Sequence, residues 1–338
     1  MIDISTPYVK FQKKITKDGY KLICIPYAGG GASFYNGWQK YFQNIEVIPI
    51  QLPGRENRMG EEFLLDCKEI AHKIVEEIAP YLDNENFSIF GHSMGGIIAF
   101  ETAKLFEKLG VKPDVCFISS TSLTDKGDFI PSRELDDQQF FRRVSDFGGI
   151  DENSEILKYP EFQSVFLKIL RADFEVIESY HNDQVKLQCP IVAYCGDEDP
   201  MENIAQMESW SKYTSSVVYK EYEGGHFYLV DHCQQVCKNI ENNIIQVKEK
   251  KRYEKMNKNM TIQHGEKIYT ANEFYKMVSG YIAEYSSYGS GTRVFINLKN
   301  PVEYMAATIA MFNLDFDVSL DKQMAEIVIE TEVRNTNI

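Results

Sequence analysis

Ser93 stands in Gly91-His92-Ser93-Met94-Gly95, a G-x-S-x-G pentapeptide between the apolar run NFSIF and a stretch with helical periodicity. A serine on a sharp strand-to-helix turn exposes its hydroxyl, and flanking glycines relieve the crowding such a turn creates. A hydroxyl is a weak nucleophile, so it needs a base with a pKa near neutrality and an acid to orient that base. Of six histidines, only His181, His226, His232 and His264 follow Ser93. His226, in EGGHFYL, occupies a glycine-containing loop directly after a strand-like run, where an imidazole can swing over a sheet edge. His181 precedes the penultimate strand run and His232 falls inside a helical pattern, so His226 is the expected base. The acid comes from CGDEDP (195–200): Asp199, three residues after Gly196, is the first candidate, and Asp197 is the alternative.

Acyl transfer through a serine also needs two N–H donors for the tetrahedral oxyanion. Met94, the residue after the nucleophile, supplies one, and Ala28 in PYAGGGAS (26–33) is the expected second. The same glycine loop could cradle a phosphate. No GK[ST] follows it, however, and no acid stands after the second strand run to hold a ribose, which argues against a nucleotide. This chemistry requires no cofactor and no metal.

Those residues need a frame that brings distant loops together. KLICIPY (21–27), IEVIPIQL (45–52), the run before Ser93, DVCFISS (114–120), CPIVAYCG (189–196) and SSVVYKEYEG (215–224) read as strands. Helical spacing over 66–82, 95–109 and 230–247 alternates with them. Strands apolar on both faces, interleaved with helices, indicate an α/β fold with a mostly parallel sheet covered on both sides. The long helical stretch between the runs at 114–120 and 189–196 predicts a lid at about 123–182.

Of 338 residues, 36 are Lys or Arg and 50 are Asp or Glu, a net charge of −14. Such a chain has no electrostatic footprint for nucleic acid or an anionic membrane. The N-terminal residues lack an apolar signal core, and no run of about 18 apolar residues occurs. Seven cysteines without a C-x-x-C pair fit reduced thiols, so a cytoplasmic location is expected. Residues 251–338 carry 10 basic and 11 acidic groups, so nearly all the net charge lies before them. The segment 246–258, with six Lys or Arg against two acids, reads as the join. The expected organisation is a catalytic domain over 1–248, a basic linker over 249–262 and a C-terminal piece over 263–338.

Six collinear segments now carry a resemblance: PYAGGGASFYNGW, QLPGREN, FGHSMGG, LRADFEVIESY, CGDEDP and GGHFYL. Together they resemble the type II thioesterases of non-ribosomal peptide and polyketide synthesis, across residues 20 to about 245. Tyr27 stands where family members often have His or Phe. The resemblance implies an α/β-hydrolase that cleaves acyl groups from the phosphopantetheine arm of acyl or peptidyl carrier proteins, editing stalled or misprimed chains. It implies a triad of Ser93, Asp199 and His226, with Ala28 and Met94 as the oxyanion hole. It also implies that LRADF lies in the lid, where Arg171 and Asp173 are expected to form a structural ion pair. Product release and fatty-acyl carrier hydrolysis are the neighbouring roles. A non-catalytic adaptor would have no need of all three triad residues.

Residues 265–321 have a separate pattern: a helix at 271–285, strand RVFINL (293–298), Asn300-Pro301 and a helix at 302–313. This resembles the start of adenylate-forming acyl or aminoacyl ligases. No phosphate loop, adenosine-binding segment or catalytic lysine domain follows. The resemblance therefore implies a truncated fragment without its own adenylation chemistry, with docking to a synthetase adenylation domain as the sharper reading.

Overall fold

The structure is a computed structural model. It describes residues 2–3, 6–9, 14–15, 19–82, 86–123, 130–146, 148, 159–256, 261–264, 267–286, 288, 293–298, 300–314, 317–319 and 327–330. The chain divides into two compact units, Met1–Ile245 and Gln246–Ile338.

The first unit is built on a six-stranded parallel sheet: β1 (Tyr20–Ile25), β2 (Ile45–Pro49), β3 (Phe87–His92), β4 (Cys116–Ser119), β5 (Ile191–Gly196) and β6 (Val217–Tyr222). Their spatial order is β2-β1-β3-β4-β5-β6. Every residue of β1, β3, β4 and β5 is buried, which is why these strands read as continuous apolar runs. β6 lies at an edge and alternates between partly exposed and exposed side chains until Tyr222. The chain moves one way from β1 to β2 and the other way from β1 to β3. The crevice beyond the carboxyl ends of β1 and β3 is thus the switch point, where open α/β sheets place their ligands.

Helices α1 (Cys67–Ile78) and α2 (Met94–Lys108) pack against each other. Asp66 caps α1 by accepting from the Glu69 N–H at 2.8 Å. α2 follows β3 with Ser93 alone between them, and twelve of its residues are buried. Such burial suits a helix lying across the sheet rather than one with a solvated face.

Between β4 and β5 the described residues hold α3 (Asp137–Asp146) and α4 (Pro160–Glu178), and no strand. Within the stretch expected as a lid, residues 124–129, 147 and 149–158 lie outside the described residues. α4 grips the start of the insertion. Glu178 accepts from the Ser132 N–H and hydroxyl, while Arg171 donates to the carbonyls of Ser132 and Leu135. Its far end is tied back to α2, where Lys104 bridges Glu101 and Asp183 and Tyr180 donates to Glu101.

Beyond β5 come α5 (Ile204–Met207), α6 (Tyr228–Asp231) and α7 (Cys233–Met256). α7 runs on past residue 247 into the segment expected as a linker. QVKEKKRYEKM contains no Gly or Pro and is rich in good helix formers, so nothing in it ends the helix.

The second unit holds a hairpin of β7 (Thr261–His264) and β8 (Lys267–Thr270), helices α8 (Ala271–Tyr285) and α9 (Pro301–Asn313), and three strands. β9 (Arg293–Asn297) pairs in parallel with β10 (Asp317–Ser319) on one side and β11 (Ile327–Glu330) on the other. Thr270 and Glu273 form a reciprocal capping box at the start of α8. The unit has its own apolar core around Phe274, Val278, Val294, Ala307 and Met311. Among the described residues, no helix is long and apolar enough to cross a membrane.

Candidate active site

The turn at Ser93 is tight enough to dictate its neighbours. Ser93 has φ 53° and ψ −122°, a conformation that costs a non-glycine residue about 1–3 kcal/mol and is held only when the surroundings over-determine it. They do so here. The Ser93 N–H donates to Ser119 O at 2.8 Å, and the Gly96 N–H donates to Ser93 O at 2.8 Å. A Cβ on Gly91 would lie 1.9 Å from Gly95 O, and one on Gly95 would lie 2.3 Å from Ile25 O. Both glycines of G-x-S-x-G are therefore set by close backbone approach. Met94 begins α2, so its N–H is among those without an acceptor inside the helix.

His226 and Asp199 meet across two loops. His226 Nδ1 lies 2.9 Å from Asp199 Oδ2, and both side chains are buried. The other carboxylate oxygen, Oδ1, accepts from the N–H groups of Met201 at 2.9 Å and Glu202 at 3.2 Å. Burial would raise the Asp199 carboxyl, but the hydrogen bond and charge of His226, with the Met201 N–H, hold it below the usual carboxylate range. An ionised Asp199 fixes the proton on His226 Nδ1, leaving Nε2 to exchange a proton with a substrate or nucleophile. Asp197, the alternative acid, is exposed. Its Oδ1 accepts from the Gly224 N–H at 2.8 Å, stapling the histidine loop to the acid loop.

The loop after β1 has most of its donors committed. Gly30 N–H goes to Tyr27 O at 2.9 Å, Gly29 N–H to Asp173 Oδ2 at 2.7 Å, and Ala32 N–H to Gln51 Oε1 at 3.3 Å. Those commitments support Ala28 rather than Gly29 or Gly30 as the second oxyanion donor. Tyr27 packs edge-on against Phe34, His92 and Phe227, with ring centroids 5.0, 5.9 and 4.9 Å away.

One sequence expectation at the site needs correction. Arg171 and Asp173 do not pair with each other. Two residues apart on a helix, their side chains point to different faces. Arg171 binds the exposed Asp137 at 2.7 Å, and Asp173 makes a buried two-pronged pair with Arg55, at 2.6 and 2.7 Å. Arg55 was visible in QLPGREN, but nothing in spacing joins it to a residue 118 positions away.

His92 is the second residue that sequence reasoning passed over. Fully buried, it lies with its ring 5.0 Å from that of His226, and its Nδ1 is 2.8 Å from Ser119 Oγ, which in turn is 2.7 Å from Tyr228 OH. Burial, with the charge of His226 adding to it, holds His92 well below the ordinary imidazole value of 6.5. His92 is thus neutral when folded but takes a proton when unfolded at low pH. The unfolded chain binds more protons below pH 6.5, so stability falls as pH falls through that range. Denaturant unfolding is expected to show less stability from this group at pH 5 than at pH 8. A folded His92→Asn protein should lose that component, and an unchanged pH dependence would refute the assignment.

The fold and the switch-point crevice define an α/β-hydrolase. Residues 20–244 match the thioesterase domain family. The thioesterase PikA5 of Streptomyces venezuelae is 32% identical over 229 residues, which cover 67% of this chain and 81% of that protein. The gramicidin S biosynthesis protein GrsT of Aneurinibacillus migulanus is 39% identical over 223 residues, 62% of this chain and 83% of that protein. Among solved structures, the type II thioesterase BorB from the borrelidin biosynthetic cluster superposes with a TM-score of 0.61 at 27% identity, over 71% of this chain and 97% of BorB. The chain belongs to the thioesterase domain family and is a thioester hydrolase. The family match ends at residue 244, short of the second unit.

Proposed function

We propose that this thioesterase removes acyl groups from the phosphopantetheine arm of carrier proteins in non-ribosomal peptide or polyketide synthesis, clearing stalled or misprimed chains in the cytoplasm. The observation that carries the mechanism is the 2.9 Å contact between His226 Nδ1 and Asp199 Oδ2, beside the strained turn at Ser93. Ser93 attacks the thioester carbon as its proton passes to His226 Nε2. Met94 and Ala28 N–H groups stabilise the oxyanion, and the thiol of the pantetheine arm departs. Water activated by His226 then releases the acid and restores Ser93. A thiol is a good leaving group, so protonation on departure matters less than in amide cleavage.

Relatives and neighbours from biosynthetic pathways support the substrate class, GrsT and BorB among them. Tyr159, Phe162 and Val165, exposed at the start of α4, offer an apolar surface for the carrier. Apolar contact suits an encounter in which a net charge of −14 gives no long-range attraction to an acidic carrier. Docking of the second unit to an adenylation domain is a further proposal that rests on the sequence resemblance alone.

The test is release of free acid from carrier proteins loaded with acetyl and longer acyl groups. Faster hydrolysis of the carrier-bound thioester than of the same acyl group on free pantetheine is the expected result. Equal rates would remove the carrier from the proposal.

A further inference from the structure

We propose that Arg55 and Asp173 are positioning residues for the oxyanion hole, so that α4 of the insertion is a working part of the catalytic loop and not only a cover. This rests on the reading of Ser93 as nucleophile with Ala28 as a donor.

The contacts converge on three of the four residues after Ala28, namely Gly29, Gly30 and Ala32. Asp173 Oδ2 accepts from the Gly29 N–H at 2.7 Å and from Arg55 Nη1 at 2.6 Å, and its Oδ1 accepts from Arg55 Nη2 at 2.7 Å. The same Arg55 Nη1 donates to Gly30 O at 3.1 Å. Arg55 is held in turn, because its carbonyl accepts from Gln51 Nε2 at 3.3 Å while Gln51 Oε1 accepts from the Ala32 N–H at 3.3 Å. The loop is therefore gripped at the N–H of residue 29, the carbonyl of 30 and the N–H of 32. The peptide that carries the Ala28 N–H lies immediately before the first of these grips.

Packing from the same helix reinforces the polar grip. Gly29 has φ +81°, and a Cβ there would lie 2.8 Å from Leu170 Cδ2 and 3.3 Å from Phe166 Cε2. Phe166, Leu170 and Asp173 lie at i, i+4 and i+7 on α4, so one face of the helix supplies both the apolar and the ionic contact. The charged side chains are 5% and 2% exposed, so the pair is sealed from water. A carboxylate with three donors, one of them a loop N–H, fixes where that loop can sit. An oxyanion donor contributes only if it is preorganised to within a few tenths of an ångström of where charge develops.

A merely structural pair and a positioning pair differ in what their loss does to a folded protein. Two variants are needed: Asp173→Asn, and the apolar double replacement Arg55→Met with Asp173→Leu. The double variant leaves no unpaired buried charge, and such exchanges are often neutral or stabilising. The substrate is p-nitrophenyl butyrate, whose hydrolysis depends on the nucleophile and the hole but not on a carrier. The probe is butylboronic acid, which adds a serine oxygen to boron and presents a tetrahedral anion to the hole. In the folded variants, kcat should fall about 100-fold and the boronate inhibition constant should rise about as much, with KM within about threefold of wild type. A folded double variant with wild-type kcat and boronate affinity would overturn the proposal. So would parallel losses in KM and boronate binding, which would mean the pair shapes the substrate site instead. Wild-type protein that cleaves the ester but no carrier thioester would overturn the substrate class above and leave this inference standing. Ester cleavage by Ser93→Ala at the wild-type rate would overturn the nucleophile on which both rest.

Discussion

Replacing Ser93 with alanine is expected to lower kcat for thioester hydrolysis about a millionfold, because members of a triad act as a unit. That factor corresponds to about 8 kcal/mol of transition-state stabilisation. The expectation follows from local geometry as well as from residue type. Ser93 is held at φ 53° by hydrogen bonds to Ser119 and Gly96, and the neighbouring glycines leave no room for side chains on the inner side of the turn. Alanine fits this backbone no worse than serine, so the variant should fold. Its residual rate would come from Met94, Ala28 and substrate positioning acting on bound water. Steady-state release of acid from an acyl carrier measures the effect, and a melting temperature near wild type excludes unfolding as its cause. Loss of less than about tenfold in a folded protein would show that another group attacks the thioester.

Much of this architecture could be read from the sequence because the physical constraints were local. The turn at Ser93 needs glycines at fixed offsets, and β1, β3, β4 and β5 are buried on both faces, so each appeared as an unbroken apolar run. The second unit was legible at α8, α9 and β9, where capping residues and a short apolar run mark the elements. β10 was missed because three residues carry too little pattern. β11 was missed because IVIE shows its role only through parallel pairing with a strand some thirty residues earlier. The basic run at 248–255 reads as a linker by its charge, yet Lys and Arg are good helix formers and α7 continues through it to Met256.

The site divides along the same line. Ser93, Asp199 and His226 follow one another in an order that a strand-loop frame makes predictable. Arg55, Asp173 and His92 do not. Arg55 and Asp173 are 118 residues apart, and each has a local reading as a loop or lid residue. His92 occupies a variable position of the pentapeptide, and only folding places it between Ser119 and His226. Long-range polar pairs inside a protein leave no periodic trace in one chain. They become visible only when burial shows that each charge needs a partner.

Asp199→Asn is expected to cost about 10⁴-fold in kcat, while Asp197→Asn should cost less than about tenfold. Both acids lie in one short loop and both reach the histidine loop, yet they do different work there. Asp199 is buried against the imidazole, with Oδ2 on His226 Nδ1 and Oδ1 on the N–H groups of Met201 and Glu202. In Asp199→Asn, either the amide N–H meets the imidazole, favouring the wrong tautomer, or it faces the two backbone N–H groups. Each arrangement also removes the charge that stabilises the imidazolium formed during attack. Asp197 instead accepts from the Gly224 N–H at an exposed position, and an asparagine carbonyl can keep that bond. Its replacement should therefore shift stability slightly and leave the pH–rate profile of kcat in place. The Asp199 variant should lower the plateau of that profile, since the base has lost its orientation. Side-by-side kcat measurements on one acyl carrier decide the matter. A larger loss at Asp197 than at Asp199 would mean that the acid loop rearranges when substrate binds and that the buried contact is not the working one.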